Sequence, residues 1–261
     1  MTASYDAKLE RAKERLHDLY AEVRAFLDTD PYGAVFKHDK QTGHHRTKIA
    51  FEPPAPMNIL IIAGDVLHNL RCALDHLYWD LAHARLKPPP ATEDEKKGLQ
   101  FPICKSAKSY SARVKEIGRL GPDVLKVFDA LKPYQGGDDT LWRLNELSNR
   151  DKHRTLLTVG FKTSEVRFLK KSPPPPEAPL GGGATPAEVI TSVTIAPPFP
   201  LKDGDILPSG ISEAEATKNV HTRYCIAFNE PGGAEGVEVV STLAALFDRV
   251  DEVIELFRPL I

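Results

Sequence analysis

Much of what this chain lacks narrows its chemistry. No apolar run approaches the roughly 18 residues that span a bilayer, so no membrane partner is expected. The opening residues, Met1-Thr2-Ala3-Ser4-Tyr5-Asp6, lack the basic and apolar regions of a signal peptide, and the expected location is cytoplasmic. Cysteine is scarce: Cys72, Cys104 and Cys225 are scattered and odd in number, which argues against a disulfide framework. Neither sign of charge prevails, with 34 Lys and Arg against 36 Asp and Glu. A formal charge of −2 excludes a protein that grips nucleic acid mainly through bulk charge and leaves room only for a local basic patch. No HExxH or CxxC spacing fixes two metal ligands on adjacent turns, and no Gly-x-Ser-x-Gly elbow is present. Gly181-Gly182-Gly183 is not followed by the Lys-Ser/Thr of a phosphate loop.

What is present reads as an α+β protein of 261 residues: a mainly helical, four-helix-type bundle with an appended antiparallel β-sheet and a C-terminal helix. Leu9, Ala12, Leu16, Leu19, Val23 and Phe26 keep helical period over 5–28, which Asp30-Pro31 ends. Strand-type runs at 34–36 and 47–51 predict a β-hairpin over 33–51. A long helix follows over 58–86, then a broken helix near 106–118 that restarts at Gly121-Pro122, then a helix over 140–154. Residues 156–161, 166–169, 189–195 and 220–228 predict strands around a Pro- and Gly-rich loop at 171–187. A last helix is expected over 240–257, with Val240, Leu243, Phe247, Val250, Ile254 and Phe257 on its apolar stripe. The expected organisation is a helical part, 1–155, and a strand part ending in a helix, 156–261, joined in one compact unit.

The helix over 58–86 is the most informative segment. Val66, Leu70, Ala73, Leu74, Leu77 and Leu81 share one face. Its opposite face collects His68, Arg71, Cys72, Asp75, His76 and Trp79, where an ordinary solvated face would carry Lys, Glu and Gln. Arg71 and His76 lie on either side of Asp75, so both can border one groove. A histidine near neutral pKa can move the proton of a 2′-hydroxyl or of a leaving oxygen, and an arginine fork can hold phosphate. An arginine and an aspartate at i, i+4 also form a plain helix ion pair, so Arg71 and Asp75 have a structural reading too.

The Arg71-x4-His76 spacing, within the four-helix order of residues 5–155, resembles the HEPN superfamily. The resemblance implies a metal-independent ribonuclease or RNA-binding relative that works as a homodimer and needs no cofactor. It makes His76 the acid/base, Arg71 the phosphate ligand and Asp75 the residue that orients one of them. Cys72 stands where that family usually has a polar residue.

A second cluster, Asn145-Glu146-Leu147-Ser148-Asn149-Arg150-Asp151-Lys152-His153-Arg154, closes the helix over 140–154. Asp151 falls on the apolar stripe of Leu141, Leu144 and Leu147, so a cation is expected to pair with it: Arg71, His76 or a basic residue of its own segment. With His68, Trp79, Asn149, Lys152, His153 and Arg154, it is expected to line or support the groove. Two further readings stay open. One is a non-catalytic dimeric bundle that binds a protein partner or small ligand. The other is a DinB-like metal-dependent enzyme, using His68, His76, His83 or His153 with Asp75, Asp80 or Asp151.

Overall fold

The computed structural model describes residues 3–29, 31–38, 45–51, 55–153, 159–172, 189–195, 206–208, 220–230 and 233–261. The described chain is mainly helical. Its α-helices are α1 (Ser4–Leu27), α2 (Met57–Arg85), α3 (Glu93–Lys97), α4 (Ala107–Ile117), α5 (Pro122–Leu131), α6 (Asp139–His153) and α7 (Val239–Phe257). Its strands are β1 (Tyr32–His38), β2 (His45–Phe51), β3 (Val159–Ser172), β4 (Val189–Ile195), β5 (Ile206–Pro208) and β6 (Val220–Phe228).

Two compact units interleave along the chain rather than dividing near residue 155. The helical unit comprises Met1–Arg24, Pro56–Val159 and Phe228–Ile261, so the C-terminal helix belongs with the bundle. The strand unit comprises Ala25–Ala55 and Gly160–Ala227. A single appended antiparallel sheet does not form. The strands fall into two separate groups, ordered β1-β2-β5 and β4-β3-β6. β1 and β2 run antiparallel from Tyr32↔Phe51 to His38↔His45, and β3 and β4 from Val166↔Ile195 to Ser172↔Val189. β3 is one continuous strand where two short ones were expected. Arg154, the Lys40–Gly43 turn and residues 173–187 of the Pro/Gly-rich loop lie outside the described residues.

The helical unit is built around α2, which packs against α6 and α7, and these two also touch each other. Every member of the predicted α2 stripe is buried: Val66, Leu70, Ala73, Leu74, Leu77 and Leu81. α2 is long and apolar enough by composition to cross a bilayer, and 56% of its most apolar window is buried inside the protein. The mostly buried core helix of a bundle has the same length and composition. Leu86, at its C-terminus, is extended and donates its N–H to the Ala82 carbonyl at 2.9 Å, and Pro88 beyond it cannot continue the helix.

α5 starts from Gly121, whose φ of 125° and lack of a Cβ suit the turn into Pro122; a Cβ there would stand 2.6 Å from Asp123 Oδ1. The buried face of α7 is turned slightly from expectation. Val239, Leu243, Leu246, Val250, Val253, Ile254 and Phe257 are buried, while Val240 and Phe247 are half-buried. At its N-terminus Glu238 accepts the Val240 N–H at 3.0 Å, which fixes the helix start. At the other end Arg258 holds Asp6 of α1 at 2.9 Å, tying the last turn to the first helix.

Candidate functional site

The site begins with an ion pair on α2 that reaches beyond its own helix. Arg71 Nη2 lies 2.9 Å from Asp75 Oδ1, the i, i+4 geometry that one helical turn provides. The same Nη2 donates to the Phe101 carbonyl at 2.9 Å, and Asp75 Oδ1 accepts the Phe101 N–H at 2.9 Å. Both backbone groups of one linker residue are therefore bonded by a single pair of side chains, and the Phe101 carbonyl also accepts the Ile103 N–H at 2.9 Å. Phe101 itself is buried in an aromatic cluster with Tyr78, Phe128 and Phe257, which anchors the linker from its other side. Burial pulls the Arg71 guanidinium below its ordinary pKa, and the facing Asp75 carboxylate opposes that shift.

Nη2 is fully engaged, yet Arg71 Nη1 is buried with no hydrogen-bond partner. A buried guanidinium donor left open is costly unless something else supplies an acceptor. Arg71 lines a cavity of about 360 Å³ together with Asp75, Gln100, Phe101, Ile103, Arg113, Asn145, Asn149, Lys152 and His153. Four segments make these walls: α2, the linker after α3, α4 and the C-terminal half of α6. α6 contributes Asn145, Asn149, Lys152 and His153 because its buried stripe, Leu141, Leu144, Leu147 and Ser148, faces the bundle. The lining is almost wholly polar, rich in N–H donors and net basic. Arg113 is paired with Glu116 on its own helix, with Nε 2.9 Å from Oε2 and Nη2 donating to Oε1 at 3.0 Å. The chemistry offered is recognition of an oxyanion, with an imidazole nearby.

Of the sequence candidates, the cavity brings together Arg71, Asp75, Asn149, Lys152 and His153. His76 is not among its lining residues; it is half-buried, and its Nδ1 is buried without a partner. Arg71 turns to Asp75 and Phe101, and this cavity does not bring His76 to it. His68 is exposed and lies 3.5 Å from Cys72 Sγ through Nε2. Trp79 is 37% exposed and packs its ring against His83 at 4.4 Å, while His83 Nδ1 lies 2.8 Å from the Trp79 carbonyl. Among the described residues no three His, Cys, Asp or Glu side chains gather where they can hold a metal ion. Arg113, Gln100 and Phe101 were not singled out in the sequence. Only the packing of α4 and the linker against α2 and α6 puts them on this wall.

Asp151 corrects an expectation. Neither Arg71 nor His76 pairs with it, and its Oδ1 is buried with no hydrogen-bond partner. It faces Gly64 of α2, where a Cβ would stand 3.0 Å from both carboxylate oxygens, so the glycine is what admits it. Burial raises its pKa foremost; His68 opposes this and Asp65 adds to it. The folded state therefore holds this proton to higher pH than the unfolded chain does. Stability falls as pH rises through the unfolded and then the folded pKa, and the penalty is complete above both. Asp151→Asn is expected to unfold at equal or higher urea concentration than the wild type at neutral pH, and to lose that advantage in acid. Urea melts at about pH 4 and pH 7 test this. A variant less stable at pH 7 than at pH 4, relative to wild type, would mean that the carboxylate is favourably held.

No family model, curated protein or solved structure matches this chain.

Proposed function

We propose that this chain is an RNA-binding protein of HEPN-like build, in which the basic cavity beside Arg71 takes a phosphate group of the RNA. The observation that carries this reading is the buried, unpartnered Nη1 of Arg71, a residue that lines a donor-rich cavity. Arginine is the side chain best shaped for phosphate oxygens, and a guanidinium already held by Asp75 and Phe101 loses little freedom on binding. In the catalytic form of this proposal, the protein is a metal-independent ribonuclease. His153, the imidazole on the cavity wall, then moves the proton, in the role first expected of His76. Asn145 and Asn149 would orient the sugar-phosphate, and Lys152 would add charge at the rim. The proposal includes a homodimer and a cytoplasmic setting.

A second reading, a non-catalytic module for a protein partner or small ligand, draws on the engagement of Arg71 and Asp75 with the Phe101 backbone. One experiment separates the two. Wild type and His153→Ala are incubated with an oligoribonucleotide and its DNA counterpart, with and without EDTA, while anisotropy follows binding and gels follow cleavage. The RNA reading expects salt-sensitive RNA binding in both proteins. The catalytic form expects chelator-resistant cleavage of RNA only, lowered roughly 10²–10⁴-fold by His153→Ala. Binding without cleavage leaves an RNA-binding protein, and no binding at low salt overturns the RNA reading in favour of the module. Light scattering that gives a monomer at micromolar concentration would remove the homodimer.

A further inference from the structure

We propose that the Arg71 cavity recognises a terminal phosphate monoester rather than the internal phosphodiester of a polynucleotide. This rests on the phosphate reading of the same cavity and narrows it to one end group. Three observations point there. First, donors reach the space from four separate segments, α2, the 98–106 linker, α4 and α6, rather than from one basic face along which a chain could lie. A phosphodiester inside a chain must enter and leave, whereas a terminal group enters once. Second, at about 360 Å³ the cavity lies at the small end of the roughly 300–1,000 Å³ typical of ligand sites, enough for an end group and not for a run of polymer. Third, the donor supply exceeds what a diester can use. Arg71 Nη1 is buried without a hydrogen bond, and Arg113, the amides of Gln100, Asn145 and Asn149 and the Lys152 ammonium stand on the same lining.

A phosphate monoester offers three strong acceptor oxygens and close to two negative charges near neutral pH. A diester offers two free oxygens and one charge. The negative groups at the site are Asp75 on the wall and Glu116 behind Arg113, and each already faces its own arginine. Lys152 remains to meet the second charge of a monoester, with His153 beside it on the lining.

The test compares one oligoribonucleotide in three forms: 5′-phosphorylated, 3′-phosphorylated and hydroxyl at both ends. Binding to the full chain is read by anisotropy, with inorganic phosphate and dimethyl phosphate as competitors. At least one phosphorylated form is expected to bind about tenfold more tightly than the hydroxyl form. Inorganic phosphate should displace it, and dimethyl phosphate should not. Lys152→Met and Arg113→Met, which leave the Phe101 clamp intact, should abolish the preference. Equal binding of all three forms overturns the inference while leaving RNA binding in place. Phosphate binding, seen by calorimetry with inorganic phosphate alone, in a protein that binds no RNA overturns the RNA reading and keeps the monoester site. Loss of preference in neither variant places the phosphate elsewhere and overturns the assignment of this cavity.

Discussion

Arg71→Ala is expected to lower the free energy of unfolding by about 3–5 kcal/mol, far more than a surface ion pair is worth. The substitution removes three things together. Asp75, a half-buried carboxylate, loses its counter-charge at 2.9 Å. The carbonyl of buried Phe101 loses one of its two donors, the Arg71 guanidinium at 2.9 Å, and keeps the Ile103 N–H at 2.9 Å. The methylene stem of a side chain that is only 6% exposed also leaves its packing. Arg71→Lys should recover only part of the loss, because a single ammonium lacks the planar fork that spans the carboxylate and the carbonyl. Urea unfolding of the two variants beside wild type measures both effects. A loss under about 1 kcal/mol for the alanine variant would show that the pair behaves as a solvated one. The same result governs activity assays: Arg71 is unsuited to a simple loss-of-function test, since it builds the wall it lines.

The sequence made the core of this site readable and its partners only partly so. Periodicity placed Val66 to Leu81 on the buried face of α2 because apolar burial repeats with the helical turn, and the structure buries each of them. It also placed Arg71 and Asp75 one turn apart, and the ion pair forms. Spacing along one helix says nothing, however, about what faces that helix. Arg71 and His76 both border the polar face, yet the side chains that close the cavity come from α6, where His153 lies beside Asn149 and Lys152. Arg113 could be found only by knowing how α4 packs. Phe101 stands in the sequence as a lone large aromatic before Pro102, with no periodic neighbour to mark it as buried. Asp151 failed for a related reason. Its place on the apolar stripe of α6 was read correctly, but the neighbour that meets it is the bare backbone of Gly64 rather than a cation. A glycine within a helix leaves no periodic trace of what approaches it.

Phe101→Ala is expected to cost about 3–5 kcal/mol, and its coupling to Arg71→Ala carries the sharper information. The ring is 1% exposed and meets Tyr78 and Phe257 edge-on, with centroids at 6.3 and 5.8 Å, and Phe128 at 5.2 Å. It therefore joins α2, α5 and α7 at one point, and its removal leaves a cavity that three helices must collapse to fill. Meanwhile its backbone is held by Arg71 and Asp75. Ring and backbone are two anchors on the same residue, so each is worth most while the other holds. With the ring gone the linker moves, and Arg71 has little fixed backbone left to satisfy. The double variant should then cost less than the sum of the singles, by about 0.5–3 kcal/mol. Additivity within about 0.5 kcal/mol would show that the anchors act independently. That outcome would leave the stability of the clamp intact but remove the reason to treat the Phe101 wall as one cooperative piece. A ligand that needs the wall rigid should accordingly bind Phe101→Leu, which keeps most of the apolar volume, better than Phe101→Ala.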